Sequence, residues 1–118
     1  MANKQGYAEV EFDGETKLLR FNFNAMADVE EYFGIGIGVI MSEERIGFST
    51  IRALYWAGLK WKMKGLTIER VGDMLTDKMD NENISFMELM DPITKAIKAA
   101  GWIKDQPQKT NKEDETKN

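Results

Sequence analysis

Residues 49–75, STIRALYWAGLKWKMKGLTIERVGDML, constrain the fold more than any other part of this chain. The pattern predicts two helices joined by a tight turn. Ser49 and Thr67 are placed to cap them, each side-chain oxygen accepting from a backbone N–H that has no partner inside the helix. Lys64-Gly65 supplies the break, because glycine takes the left-handed conformation that ends a helix. In the first helix Ile51, Ala53, Leu54, Tyr55, Trp56, Ala57, Leu59, Trp61 and Met63 leave almost no polar face. A helix apolar all round must be covered by neighbours or by a partner. It falls short of the roughly 20 residues of a membrane span and carries Arg52, Lys60 and Lys62, so no membrane association is expected.

A chain of 118 residues is long enough for one domain with one core. The net charge of -4 argues against broad binding to nucleic acid or anionic lipid, which needs an excess of Lys and Arg. With no cysteine there is neither a disulfide framework nor thiolate chemistry, and with no histidine the usual acid–base side chain near neutral pH is missing. Zinc sites built on His or Cys are excluded with them. No cofactor, metal site or catalytic constellation is therefore expected, and the protein reads as a non-enzyme. The N-terminal MANKQGYAEV lacks the apolar run of a secretory signal, which makes a cytoplasmic location the expectation.

Before the central stretch, alternation of Ala8, Val10 and Phe12 with Glu9 and Glu11 predicts a half-buried strand. Asp13-Gly14 is a strong hairpin turn, and a second strand with Leu19 and Phe21 inward completes a hairpin over residues 7–21. Two strands alone are marginal in water, so the pair must lie on helices. Asn22 or Asn24 caps a helix over about 24–33, with Phe23, Met26, Val29 and Phe33 on one face and Gly34 as its stop. The glycines at 34, 36 and 38 lack the preceding strand and following Lys-Ser/Thr of a phosphate loop, so they read as a turn, with a short helical piece over 39–44.

Beyond the central pair, Ile68, Val71, Leu75 and Met79 predict an amphipathic helix over about 68–79, followed by a polar loop over 80–83. Ser85 and Glu88 have the form of a capping box opening a helix over about 85–100. Pro92 either kinks that helix or follows a fresh cap at Asp91. Gly101 ends it, Trp102-Ile103 folds back, and residues 104–118, which contain no apolar residue but proline, read as a disordered tail. The fold class is thus α+β, mainly α: residues 1–103 as one domain, an N-terminal hairpin packed on about four helices. Tyr55, Trp56, Trp61 and Met63 cannot all be buried on one side of a helix, so they are the candidate partner-binding residues, for another protein or for a second copy.

Several of these segments, taken in order, resemble a known family. Leu19-Arg20-Phe21 leads into Asn24-Ala25-Met26, then Glu30-Glu31 and Gly34. Ile51-Arg52-Ala53-Leu54-Tyr55-Trp56-Ala57-Gly58-Leu59 follows, with Leu66-Thr67-Ile68-Glu69 and Val71-Gly72. This arrangement resembles the tail assembly chaperones of long-tailed bacteriophages and related gene-transfer agents. The likeness spans residues 7–79; the lysine-rich run after Leu59 departs from the acidic stretch of that family. It implies a non-enzymatic protein that coats the tape-measure protein, keeps it soluble, helps tail-tube subunits assemble around it, and leaves before the virion is complete. The alternatives are a minor virion component, such as a connector or tail completion protein, and a small DNA-binding regulator.

Overall fold

A central helix, hidden by its neighbours, organises the computed structural model, which describes residues 6–42 and 46–101. The N-terminal hairpin pairs β1 (Tyr7–Phe12) with β2 (Glu15–Arg20), antiparallel, with Phe12 opposite Glu15. Asp13 and Gly14 take φ of 54° and 79°, so the turn has the two positive φ values that match strand twist. Five α-helices follow among the described residues: α1 (Phe23–Phe33), α2 (Ile37–Ile40), α3 (Phe48–Leu59), α4 (Ile68–Glu82) and α5 (Met90–Ala100). The α+β, mainly α architecture expected from the pattern is the one observed.

Helix α3 is surrounded. The hairpin, α1, α4 and α5 all pack against it, and eight of its twelve residues are buried. The close approach of the hairpin depends on Gly58. A Cβ there would stand 2.8 Å from Leu19 Cδ2 and 3.0 Å from Phe21 Cζ. Ala53 and Ala57 likewise occupy little volume and are buried. A helix with small residues on several sides lets its neighbours come close enough to cover the large ones, so 118 residues suffice.

Both edges of the hairpin are closed by side-chain donors. Lys78 Nζ donates to the Glu11 carbonyl on β1, and Trp61 Nε1–H donates to the Leu18 carbonyl on β2. Lys78 is only 7% exposed; it also bonds Glu82 at 2.8 Å and lies over the Phe12 ring. Occupied edge carbonyls discourage the addition of a further strand.

Helix ends follow local chemistry. Asn22 Oδ1 accepts from Ala25 N at 2.8 Å, which starts α1 one residue early and leaves Phe23 mostly exposed; Ala25 and Val29 take the buried face instead. Helix α3 begins at Phe48 with Gly47 as its cap, so Ser49 sits exposed in the first turn and caps nothing. It ends at Leu59 rather than Met63, and the connection to α4 is a longer run of turns, not the tight turn expected. Past Leu59 the backbone continues in turns, with Lys62 N and Met63 N both bonded to the Leu59 carbonyl, and Trp61, within those turns, meets Leu18 and stacks on Tyr7 at 5.3 Å. Helix α4 continues through the expected loop to Glu82, supported by the Lys78–Glu82 pair one turn apart and by Asn83 in the left-handed cap position.

The expected final helix is divided. Ser85 and Glu88 form the reciprocal capping bonds, at 2.7 and 3.3 Å, but they open a 3₁₀ turn at Met87–Leu89. Helix α5 then starts at Met90, and Pro92 falls in its first turn, where a missing N–H costs nothing. The short helix after the glycines lies at Ile37–Ile40 rather than over 39–44. Gly6 is buried against Ala100 and its carbonyl accepts from Phe21 N. Trp102, Ile103 and the tail over 104–118 lie outside the described residues.

Thr67 Oγ1 accepts from Arg70 N at 3.1 Å and caps α4 as its sequence suggested. Because Thr67 is exposed, its truncation leaves no cavity. Thr67→Ala is expected to lower stability by about 1 kcal/mol, read as a shift of the denaturant midpoint with unchanged slope.

Candidate functional site

The four residues singled out from the central stretch do not form one exposed face. Tyr55 has no exposed surface; its hydroxyl donates to the Leu89 carbonyl at 2.6 Å, and its ring meets Phe12 edge-on at 5.9 Å. Burial pushes its phenol well above the ordinary tyrosine range, with the charges of Asp91 and Glu82 adding to the shift. Trp56 is half-buried, donates from Nε1–H to the Leu66 carbonyl at 3.1 Å, and lies under the Lys60 ammonium at 4.5 Å. Lys60 is held in turn by Asp28 of α1. Trp61, also half-buried, closes the β2 edge and carries the Arg20 guanidinium 5.2 Å above its ring. Met63 packs against the margin of the core.

Each aromatic member of the set therefore spends its polar atom on a backbone carbonyl of this chain. Tyr55 is a core residue, and exposing it would mean opening the core. The two tryptophans anchor the connection after α3 to the hairpin and to the segment before α4. The excess of apolar surface inferred for this helix is absorbed internally.

Exposed apolar surface lies elsewhere. Phe48, the first residue of α3, is 75% exposed, and Met87 in the 3₁₀ turn is 60% exposed. Phe48 stacks on Phe86 with ring centroids 4.5 Å apart. Beside them runs an open groove of about 280 Å³ between α3, α4 and the segment leading to α5. Ile51, Leu75, Met79 and Leu89 supply its apolar walls; Ser49, Arg52 and Thr76 are its polar members. Gly72 faces Arg52, where a Cβ would come within 3.4 Å of Arg52 Cδ, so a small residue on α4 preserves the width.

The groove is lined mainly by apolar side chains. Among the described residues no group of three or more carboxylates is placed to hold a metal ion. No helix among them is long and apolar enough to cross a membrane. The sequence pattern singled out neither Phe48 nor Met87. The available signal was the adjacent pair Phe86-Met87 on a short turn, where two bulky neighbours cannot both face inward. No family model, curated protein or solved structure matches this chain.

Proposed function

We propose that this protein is a non-enzymatic tail assembly chaperone of a phage or prophage, acting in the bacterial cytoplasm to hold the tape-measure protein soluble until tail-tube subunits enclose it. The observation that supports the reading is the solvent-open apolar groove flanked by the exposed side chains of Phe48 and Met87. Exposed apolar surface of this kind on a folded protein marks a contact surface. The resembling segments over residues 7–79 supply the identity of the partner. A helper that must be displaced needs a modest, reversible contact, and one groove with few apolar walls offers that.

Co-expression with the tape-measure protein of the same gene cluster tests the proposal. Expected are a rise in the soluble fraction of that protein and a complex recovered by affinity purification, with the chaperone absent from finished particles. Equal solubility with and without this chain, and no complex, overturns it.

A further inference from the structure

We infer that the groove between α3 and α4 seats one amphipathic helix of a partner protein, with its apolar row on Phe48, Met79 and Phe86 and Lys or Arg along the flank that faces α4. The inference rests on the reading of the chain as a binding protein and specifies the chemistry of what it binds.

Charge selects the occupant. On α4, Glu69, Asp73, Thr76 and Asp80 stand at i, i+4, i+7 and i+11, so they form a single row along the helix. Thr76 is part of the groove wall, which places the three carboxylates along the groove's outer rim. All three are exposed, and none is in an ion pair among the described residues. The row runs about 16 Å along the axis, three turns of a facing helix. Arg52, the one cation among the residues lining the groove, reaches from α3 to Gly72 on α4 and pairs with none of the three carboxylates. A helix with an apolar row and one basic flank therefore satisfies both features at once.

Other occupants fit less well. Residues 104–118 of this chain contain no apolar side chain except proline. Helix α5 carries the chain about 15 Å from Leu89 and the groove by its last residue, Ala100. A second copy brings another -4 and, in a symmetric pair, sets acidic rims against each other. A small molecule has no cluster of polar groups to orient it.

The probes are two synthetic peptides of about 14 residues with the same i, i+3/i+4, i+7 leucine row, one flanked by lysine and the other by glutamate. Binding to the full chain is measured by fluorescence anisotropy at low and high salt. The lysine peptide is expected to bind about tenfold more tightly than the glutamate peptide, with the advantage shrinking in high salt. Asp73→Lys combined with Asp80→Lys removes that preference, and Phe48→Asp weakens both peptides; circular dichroism melts of these exposed-site variants stay near the parent's. Equal affinity for the two peptides, no binding of either, or binding indifferent to Phe48→Asp overturns the inference. A Phe48-dependent dimer of the chain alone in sedimentation also overturns it, in favour of a second copy. A tape-measure complex that forms equally well with Phe48→Asp leaves the chaperone reading standing and removes only the groove from it.

Discussion

Tyr55→Ala is expected to destabilise the fold by about 3–5 kcal/mol, the range for deleting a large aromatic side chain from a packed core. The ring fills the contact among Phe12, α3 and the start of α5, and its hydroxyl satisfies the Leu89 carbonyl where no water reaches. Against a usual total of 5–15 kcal/mol, such a loss leaves much of the protein unfolded at modest temperature. Had Tyr55 been a contact residue, its truncation would weaken association and spare the monomer. Tyr55→Phe separates the ring from the hydroxyl: it keeps the packing and loses about 1 kcal/mol for the hydrogen bond at neutral pH. The same pair reads the phenol's ionisation. Its folded pKa is raised, so its contribution is complete below the unfolded value near 10 and falls as pH rises past it. Above that pH the gap of about 1 kcal/mol closes at about 1.4 kcal/mol per pH unit and then reverses, leaving Tyr55→Phe the more stable form. Urea denaturation across alkaline pH measures it, and a constant gap means Tyr55 ionises alike in both states.

Much of the fold was legible because local chemistry and tertiary packing agreed. Asp13-Gly14, the Asn22 and Thr67 caps, Gly34 and Gly101 each do what their side chains or their absence dictate, and the alternation of β1 and β2 buries Val10, Phe12, Leu19 and Phe21. The site was not legible in the same way. The reading that Tyr55, Trp56, Trp61 and Met63 could not all be buried on one side assumed an ideal helix through Met63, and it counted large side chains without counting small ones. Helix α3 ends at Leu59, and Trp61, in the turns beyond it, bonds Leu18, forty-three residues earlier, a contact that no local pattern encodes. Phe48 was hidden from the reading for the converse reason: a cap at Ser49 would have placed it outside the helix, whereas Gly47 caps and carries Phe48 onto the rim of the groove.

Gly58→Val carries the argument about coverage to its test and is expected to cost about 2–3 kcal/mol. Taken alone, replacing a helical glycine gains a few tenths of a kcal/mol in propensity when the new residue is β-branched. Packing opposes it and is larger. Even the first carbon would stand 2.8 Å from Leu19 Cδ2 and 3.0 Å from the Phe21 ring, and both of those side chains are wholly buried, so neither has room to retreat. Relief requires the hairpin to lift from α3, which strains the Trp61 bond to Leu18 and uncovers Leu19, Phe21 and Tyr55 together. Overpacking of a core by a few carbons typically costs about 1–3 kcal/mol, and a displaced layer places this case at the upper end. Gly58→Ala is the milder comparison, in which a gain of about 1 kcal/mol in helix propensity offsets part of the clash. Loss of stability should therefore grow from Ala to Val, with tryptophan fluorescence reporting a changed environment at Trp61 in the folded state. If Gly58→Val is as stable as the parent, the hairpin does not rest on Gly58, and the explanation of how so apolar a helix is hidden in so short a chain fails with it.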